Sequence, residues 1–251
     1  MFVDWASHED FSLMKLDRVV FYGRLGEQAM QMFGLAAELD RWRGSTVLDC
    51  PGGPGTLAAH LRAEGCDVTA IDPVYALPRA DLERRALADL EQTMAIQATS
   101  PTLRSDFDLE ACRQEHLVAL KEFLDDHRAH PDRYLSAALP DLPFKDQSFD
   151  LVLCGHLLFS YAPLADGGLM AGQGLDLTWH RRALAELCRV SRRQVRLYPA
   201  HTIALNARRH PYAEALLAEL PAGWRGCFVP SIYDQGHRGC TDALQLVRLE
   251  P

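Results

Sequence analysis

Apolar residues recur along this chain at two spacings, one helical and one extended, and the alternation between the two predicts the architecture. Residues 10–42 carry Phe11, Met14, Val19, Val20, Met30, Phe33 and Leu39 among polar neighbours, a pattern that predicts helix with a break over Gly23–Gly26. Ser45–Asp49 reads as a buried strand, Thr56–Ala63 as a helix, and Cys66–Ile71 as a second strand stopped by Asp72-Pro73. Two long helical stretches follow, divided near Thr99–Pro101. One spans 79–98 with Leu82, Leu87, Leu90 and Met94 in phase; the other spans 109–127 with Leu117, Leu120 and Leu124 on one stripe. Beyond them the pattern predicts strands at Tyr134–Leu139, Phe149–Cys154 and Gln194–Tyr198, and helices at Thr178–Val190 and Pro211–Leu220. Two last strands, near 226–232 and 243–249, flank the polar stretch DQGHRGCTD. Strands alternating with helices imply an α/β fold with a mostly parallel sheet, and the closing hairpin puts an antiparallel strand at or near its edge.

Composition narrows the picture. The 251 residues, 48% hydrophobic and 24% charged, suit one large domain with an insertion, and no apolar run approaches the roughly 18 residues of a membrane span. The start, MFVDWASHEDF, has neither a basic opening nor an apolar signal core, and the seven cysteines are odd in number with no CxxC pair. Both features fit free thiols in a reducing compartment, and a cytoplasmic protein is expected. A formal charge of −8 opposes a phosphate backbone, so neither nucleic acid nor a membrane is an expected partner. Arginines at 181, 182, 189, 192, 193 and 196 form a local basic run, which on a helix and its exit turn reads first as a solvated face.

The chemistry gathers at VLDCPGGPGTLAAHL, residues 47–61, where a strand reaches Asp49 and then a loop with two prolines and three glycines before the next helix. Glycine lets main chain approach a ligand closely, and open α/β sheets bind ligands beyond the carboxyl ends of their strands. Asp72, at the end of the second strand, stands where a carboxylate can accept the hydroxyls of a ribose. The glycines at 52, 53 and 55 do not give G-x-G-x-x-G, and no Lys-Ser/Thr follows them as a phosphate loop requires.

VLDCPGGPG resembles the nucleotide-binding stretch of class I S-adenosylmethionine-dependent methyltransferases. VTAIDP, LPFKDQSFDLVLC at 142–154 and LCRVSRRQVRLYP at 187–199 resemble three further blocks of that superfamily, in the same order. FYGRLGEQAMQMF, RYLSAALPDLPF, LLFSY and YDQGHRG are similar to a bacterial subgroup of small-molecule type whose substrate the resemblance leaves unnamed. The resemblance implies a Rossmann-like domain of seven strands over residues 45–251, a helical cap over 1–44, and a helical insertion at about 77–132. It implies S-adenosylmethionine as cofactor, with Asp49, Pro51, Gly52, Gly53, Gly55, Asp72, Pro73, Leu139, Cys154 and Gly155 around it. Pro51 stands in place of the usual first glycine, which fixes φ and removes a donor. Ala138 stands where many relatives carry an acid for the adenine, leaving the Leu139 main chain or Asp141 as substitutes.

Methyl transfer is an in-line displacement that needs positioning more than particular side chains. CGHLLFSY follows the fourth strand, and within it His156 and Tyr161 are candidates for general base or substrate hydrogen bonding, with packing against the adenine as the plainer role for His156. Tyr22 is a third catalytic candidate, and Arg24 beside it could grip a carboxylate of the cofactor or the substrate. Trp179 and His180 are candidate substrate contacts, and His201 lies at another turn. APLADGGLMAGQG, residues 162–174, reads as a gate or a surface connection. An insertion of this length exceeds ordinary loops and with the cap would enclose a small molecule. No metal-binding cluster is evident, and CGHL replaces the D/N-P-P-Y/F stretch of base-amino methyltransferases. The expected activity is methyl transfer to an oxygen or nitrogen of a small molecule. The alternatives are another reaction of the same cofactor, such as cyclisation releasing methylthioadenosine, and a binding protein without turnover.

Overall fold

The computed structural model describes residues 15–172, 174–203 and 207–249. Phe11 and Met14, part of the first predicted helix, lie outside them. The described chain runs α1 (Gly26–Met32), α2 (Leu39–Trp42), β1 (Thr46–Asp49), α3 (Leu57–Ala63), β2 (Asp67–Ile71), α4 (Arg79–Ala98), α5 (Leu109–Ala129), β3 (Tyr134–Leu135) and β4 (Phe149–Gly155). It continues through α6 (Leu177–Val190), β5 (Ser191–Tyr198), α7 (Pro211–Ala218), β6 (Trp224–Pro230) and β7 (Asp242–Arg248).

The seven strands form one sheet in the order β3-β2-β1-β4-β5-β7-β6. The first five are parallel; β7 runs antiparallel between β5 and β6, so the hairpin closes one edge as the sequence predicts. This is a Rossmann-like sheet, with the order of strand addition reversing between β1 and β4, the place where such sheets seat ligands. The apolar runs in the central strands follow from burial on both faces. Val47 of β1 and Leu151 and Leu153 of β4 pack into one core cluster with Leu61, Trp42 and Phe123, whereas Leu48, Val152 and Cys154 pack into another with Leu184, Leu187 and Leu244. Short side chains cap two helices: the Asp108 carboxylate accepts from Ala111 N and that of Asp176 from Trp179 N.

Two predicted elements differ. Residues 15–25 are not helical, because their main-chain donors are claimed from outside: Leu16 N donates to Leu169 O, Val20 N to the Tyr161 hydroxyl, and Phe21 N to Asp89 Oδ2. The predicted strand at 134–139 shrinks to Tyr134–Leu135, after which Ala138 pairs with Asp141 across a tight turn holding Leu139-Pro140.

Candidate functional site

At the carboxyl ends of β1, β2 and β4 lies a cavity that encloses about 1240 Å³, its open mouth included. Its floor is the loop at 50–55. Cys50 N donates to Leu153 O and Gly52 N to Ile71 O, which ties the loop to the tips of β4 and β2. The bareness of the loop has a reason beyond ligand approach. A Cβ on Gly52 would meet the Tyr75 hydroxyl at 2.6 Å and Ala70 Cβ at 2.9 Å, while Gly53 sits at φ +55°. On its other side the loop is covered by residues 22–26, a strap of extended chain: a Cβ on Gly23 would fall 2.1 Å from the carbonyl carbon of Pro54. Thr56 N donates to Arg24 O at 2.9 Å, and Gly26 N to the Thr56 hydroxyl at 2.7 Å. The strap thereby delivers Tyr22 and Arg24 to the cavity wall.

Charge is sparse here. Asp49 and Asp72, at the tips of β1 and β2, are both buried, and neither is within 4 Å of a cationic side chain among the described residues. Burial, with help from Asp72, pushes Asp49 up to about 8. Burial pushes Asp72 up to about 6 against hydrogen bonds from the main chain of Val74 and Gly53. Arg24 is a cation on the same cavity, and among the described residues it has no carboxylate partner: its Nε donates to the Tyr233 hydroxyl at 2.9 Å, its Nη1 points to His156 Nδ1 at 3.4 Å, and it stacks near the Tyr22 and Tyr233 rings. Because a guanidinium only donates, His156 Nδ1 is the acceptor and Nε2 carries the proton toward Gln235 Oε1 at 3.3 Å. Burial and Arg24 hold His156 far below the usual imidazole range, so it is neutral, with both nitrogens engaged.

Tyr22 meets a residue that the sequence reading did not single out. Its hydroxyl lies 2.6 Å from His116 Nε2, and His116 Nδ1 bonds Gly23 O. A carbonyl accepts only, so Nδ1 carries the proton and Tyr22 donates to the Nε2 lone pair. Burial, with Arg24 nearby, lowers His116 to about 3. The signal was a lone histidine on the buried stripe of α5 with Ala119, Leu120 and Phe123, indistinguishable in sequence from a packed residue.

Asp49, Pro51, Gly52, Gly53, Gly55, Asp72, Gly155, His156, Tyr161, Tyr22 and Arg24 thus share one cavity. Five candidates do not line it. Pro73 is exposed in the turn after β2, and Leu139 and Cys154 pack in the core on the opposite face of the sheet, where burial raises the Cys154 thiol to about 12. Trp179 packs against that same core. His180 is fully buried, its Nε2 accepting from Phe159 N and its Nδ1 donating to Asp176 O, so it organises the turn after β4 and has no free atom for a substrate. His201 is likewise buried, bonded to Thr202 O. Of the basic run, Arg181, Arg182, Arg189, Arg192 and Arg196 each pair with a carboxylate, and Arg193 lies over Trp42. Among the described residues no cluster of three metal-ligating side chains occurs, and no helix is long and apolar enough to cross a membrane.

No family model matches the chain. Uncharacterized protein MJ0045 of Methanocaldococcus jannaschii is 22% identical over 215 residues, covering 83% of this chain and 89% of that protein. Among solved structures the chain is similar to magnesium protoporphyrin IX methyltransferase from Synechocystis with bound SAM, at 15% identity and a TM-score of 0.47, over 89% of this chain and 80% of that one. It is similar also to 1,6-didemethyltoxoflavin-N1-methyltransferase from Burkholderia thailandensis, at 15% identity and a TM-score of 0.47, over 89% and 79% of the two chains. Likeness of this degree says nothing of chemistry, which the side chains on the cavity wall have to supply.

Proposed function

We propose that the protein binds S-adenosylmethionine and transfers its methyl group to an oxygen or nitrogen of a small molecule. The observation that carries this reading is the charge pattern of the cavity among the described residues: two buried acids at the tips of β1 and β2 without a cation within 4 Å, and on the same cavity one half-buried guanidinium without an acid. Buried charges of this kind are costly unless a ligand matches them. Bound there, S-adenosylmethionine supplies a methyl carbon on a cationic sulfur, a leaving group that needs no acid catalysis. Asp49 offers a carboxylate to the cationic amino-acid end, and Asp72 accepts from ribose hydroxyls. Arg24, whose main chain is bonded to Thr56 just past the loop, takes the carboxylate in its planar fork.

On the acceptor side the residues need do little beyond orientation and proton removal. Once a hydroxyl oxygen has taken a methyl group while keeping its proton, it is a strongly acidic oxonium and sheds that proton readily even to a weak base. The Tyr22 hydroxyl can receive it while passing its own to the neutral His116 Nε2. His156, its lone pair directed at Arg24, holds the guanidinium in place and is a positioning residue.

Calorimetric titration with S-adenosylmethionine tests the reading. One-to-one binding is expected, followed by release of S-adenosylhomocysteine once an acceptor is supplied. Absence of binding overturns it, and methylthioadenosine formed from the cofactor alone would replace methyl transfer with intramolecular displacement.

A further inference from the structure

The cavity extends beyond the acids and Arg24 into a compartment walled by α4, α5, residues 16–22 and the loop at 233–237. We propose that this compartment takes an uncharged aromatic or heteroaromatic acceptor, held through Gln97, Ser160, Tyr161 and His237. The inference rests on the cofactor reading above and adds the class of the second substrate.

Four polar groups on these walls have hydrogen-bonding capacity that no described residue uses. The Ser160 hydroxyl is buried and has no partner among the described residues. Gln97, buried on the inner face of α4, has no hydrogen bond to its amide. The Tyr161 hydroxyl accepts from Val20 N and has no acceptor for its own proton. His237 bonds Thr102 through Nδ1, which leaves Nε2 uncommitted. Buried polar groups in native proteins are almost always paired, so the orphaned Ser160 hydroxyl, set beside three cavity-lining groups with capacity to spare, points to a ligand with a polar edge. Between them stand aromatic surfaces, Tyr22, Phe107 and Tyr233, suited to a flat ring.

Charge decides the rest. The cavity carries two acids and one guanidinium, net −1 when ionised; the cofactor carries a sulfonium, an ammonium and a carboxylate, net +1. The two sets cancel, and among the described residues the compartment adds no further ion: burial keeps His116 and His237 neutral, and α4 and α5 contribute only Thr93, Gln97, Cys112 and His116. A charged acceptor would be desolvated there without a counter-ion.

The test uses the full-length protein saturated with sinefungin, which has an amine where the sulfonium would be, and titrates phenol, benzoate and benzylammonium by ligand-observed NMR. Phenol should bind, with each charged probe weaker by about tenfold or more. Gln97→Leu and Ser160→Ala should each weaken phenol by about fivefold, the loss of one hydrogen bond, and leave sinefungin affinity unchanged. Gln97→Glu should reverse the preference, admitting benzylammonium. If sinefungin itself does not bind, the cofactor reading falls and the charge count with it. If sinefungin binds but a charged probe matches phenol, or if the variants leave phenol binding and probe preference unchanged, only the neutral-acceptor inference falls.

Discussion

Asp49 gives the cofactor reading a quantitative consequence in pH. With its carboxyl raised to about 8 by burial and by Asp72, the ligand-free protein carries it protonated in about ten molecules of eleven at pH 7. A cationic ligand needs the ionised form, so binding must first expel that proton. Between pH 7 and pH 6 the ratio of all molecules to ionised ones grows from about 11 to about 101, and affinity should fall about ninefold, or about 1.3 kcal/mol. The ligand's own amino group stays protonated over that interval and contributes no opposing slope. Calorimetry at pH 6, 6.5 and 7, in buffers of different ionisation enthalpy, reads both the slope and the release of about 0.9 proton per ligand at pH 7. Asp49→Asn should flatten the slope. Folding provides an independent arm. Because the pKa of Asp49 is higher folded than unfolded, the folded state holds the proton more tightly, and the ligand-free protein loses stability as pH rises from about 4 to about 8. Asp49→Asn removes this penalty, so the variant should melt above the wild type at pH 8, the gap closing toward pH 4. Affinity that is flat from pH 7 to 6, or an Asn variant that keeps the slope, refutes the reasoning.

Other outcomes follow from single contacts. Asp72→Ala should weaken S-adenosylmethionine binding by roughly 1.5 to 3 kcal/mol through lost hydrogen bonds in a buried site, and an unchanged dissociation constant removes Asp72 from it. Gly23→Ala sets a methyl group 2.1 Å from the Pro54 carbonyl carbon and should cost about 1 to 3 kcal/mol in urea unfolding; an unchanged midpoint means the strap does not press on the loop. Asp89→Asn leaves Arg18 and Arg85, both partly solvated, without their shared carboxylate and should cost about 1.5 to 3 kcal/mol at pH 7. Hydrogen bonds from Arg18, Phe21 N and Arg85 outweigh burial and hold Asp89 below the usual carboxylate range. Its contribution is therefore present above about pH 4 and lost as pH falls through its folded pKa, so the wild type and variant should converge on acidification.

How far the sequence was legible depended on what each pattern reports. Periodicity reports burial, and where burial alone decides structure the bounds came out well: α4 begins and ends at Arg79 and Ala98, and β1, β2 and β4 lie within a residue of their apolar runs, while β5 starts three residues earlier than expected. The same cue failed at residues 15–25, where apolar side chains such as Leu16 and Phe21 are buried by a strap with no repeating hydrogen bonds of its own. The loop and its flanking acids were legible because glycine, proline and aspartate have backbone consequences of their own. Side-chain roles were less so. His116 and His180 are both histidines on buried helix faces, and only the fold shows that one meets Tyr22 at the cavity while the other supports a turn.

Asp89 belongs to α4, yet it holds the main chain of Phe21, one residue ahead of Tyr22, as well as Arg18 on the same strap. A single carboxylate on α4 therefore anchors the chain that leads into the cover of the glycine loop. Substitutions that tilt α4 would retune how long a ligand stays bound without altering any atom that touches it.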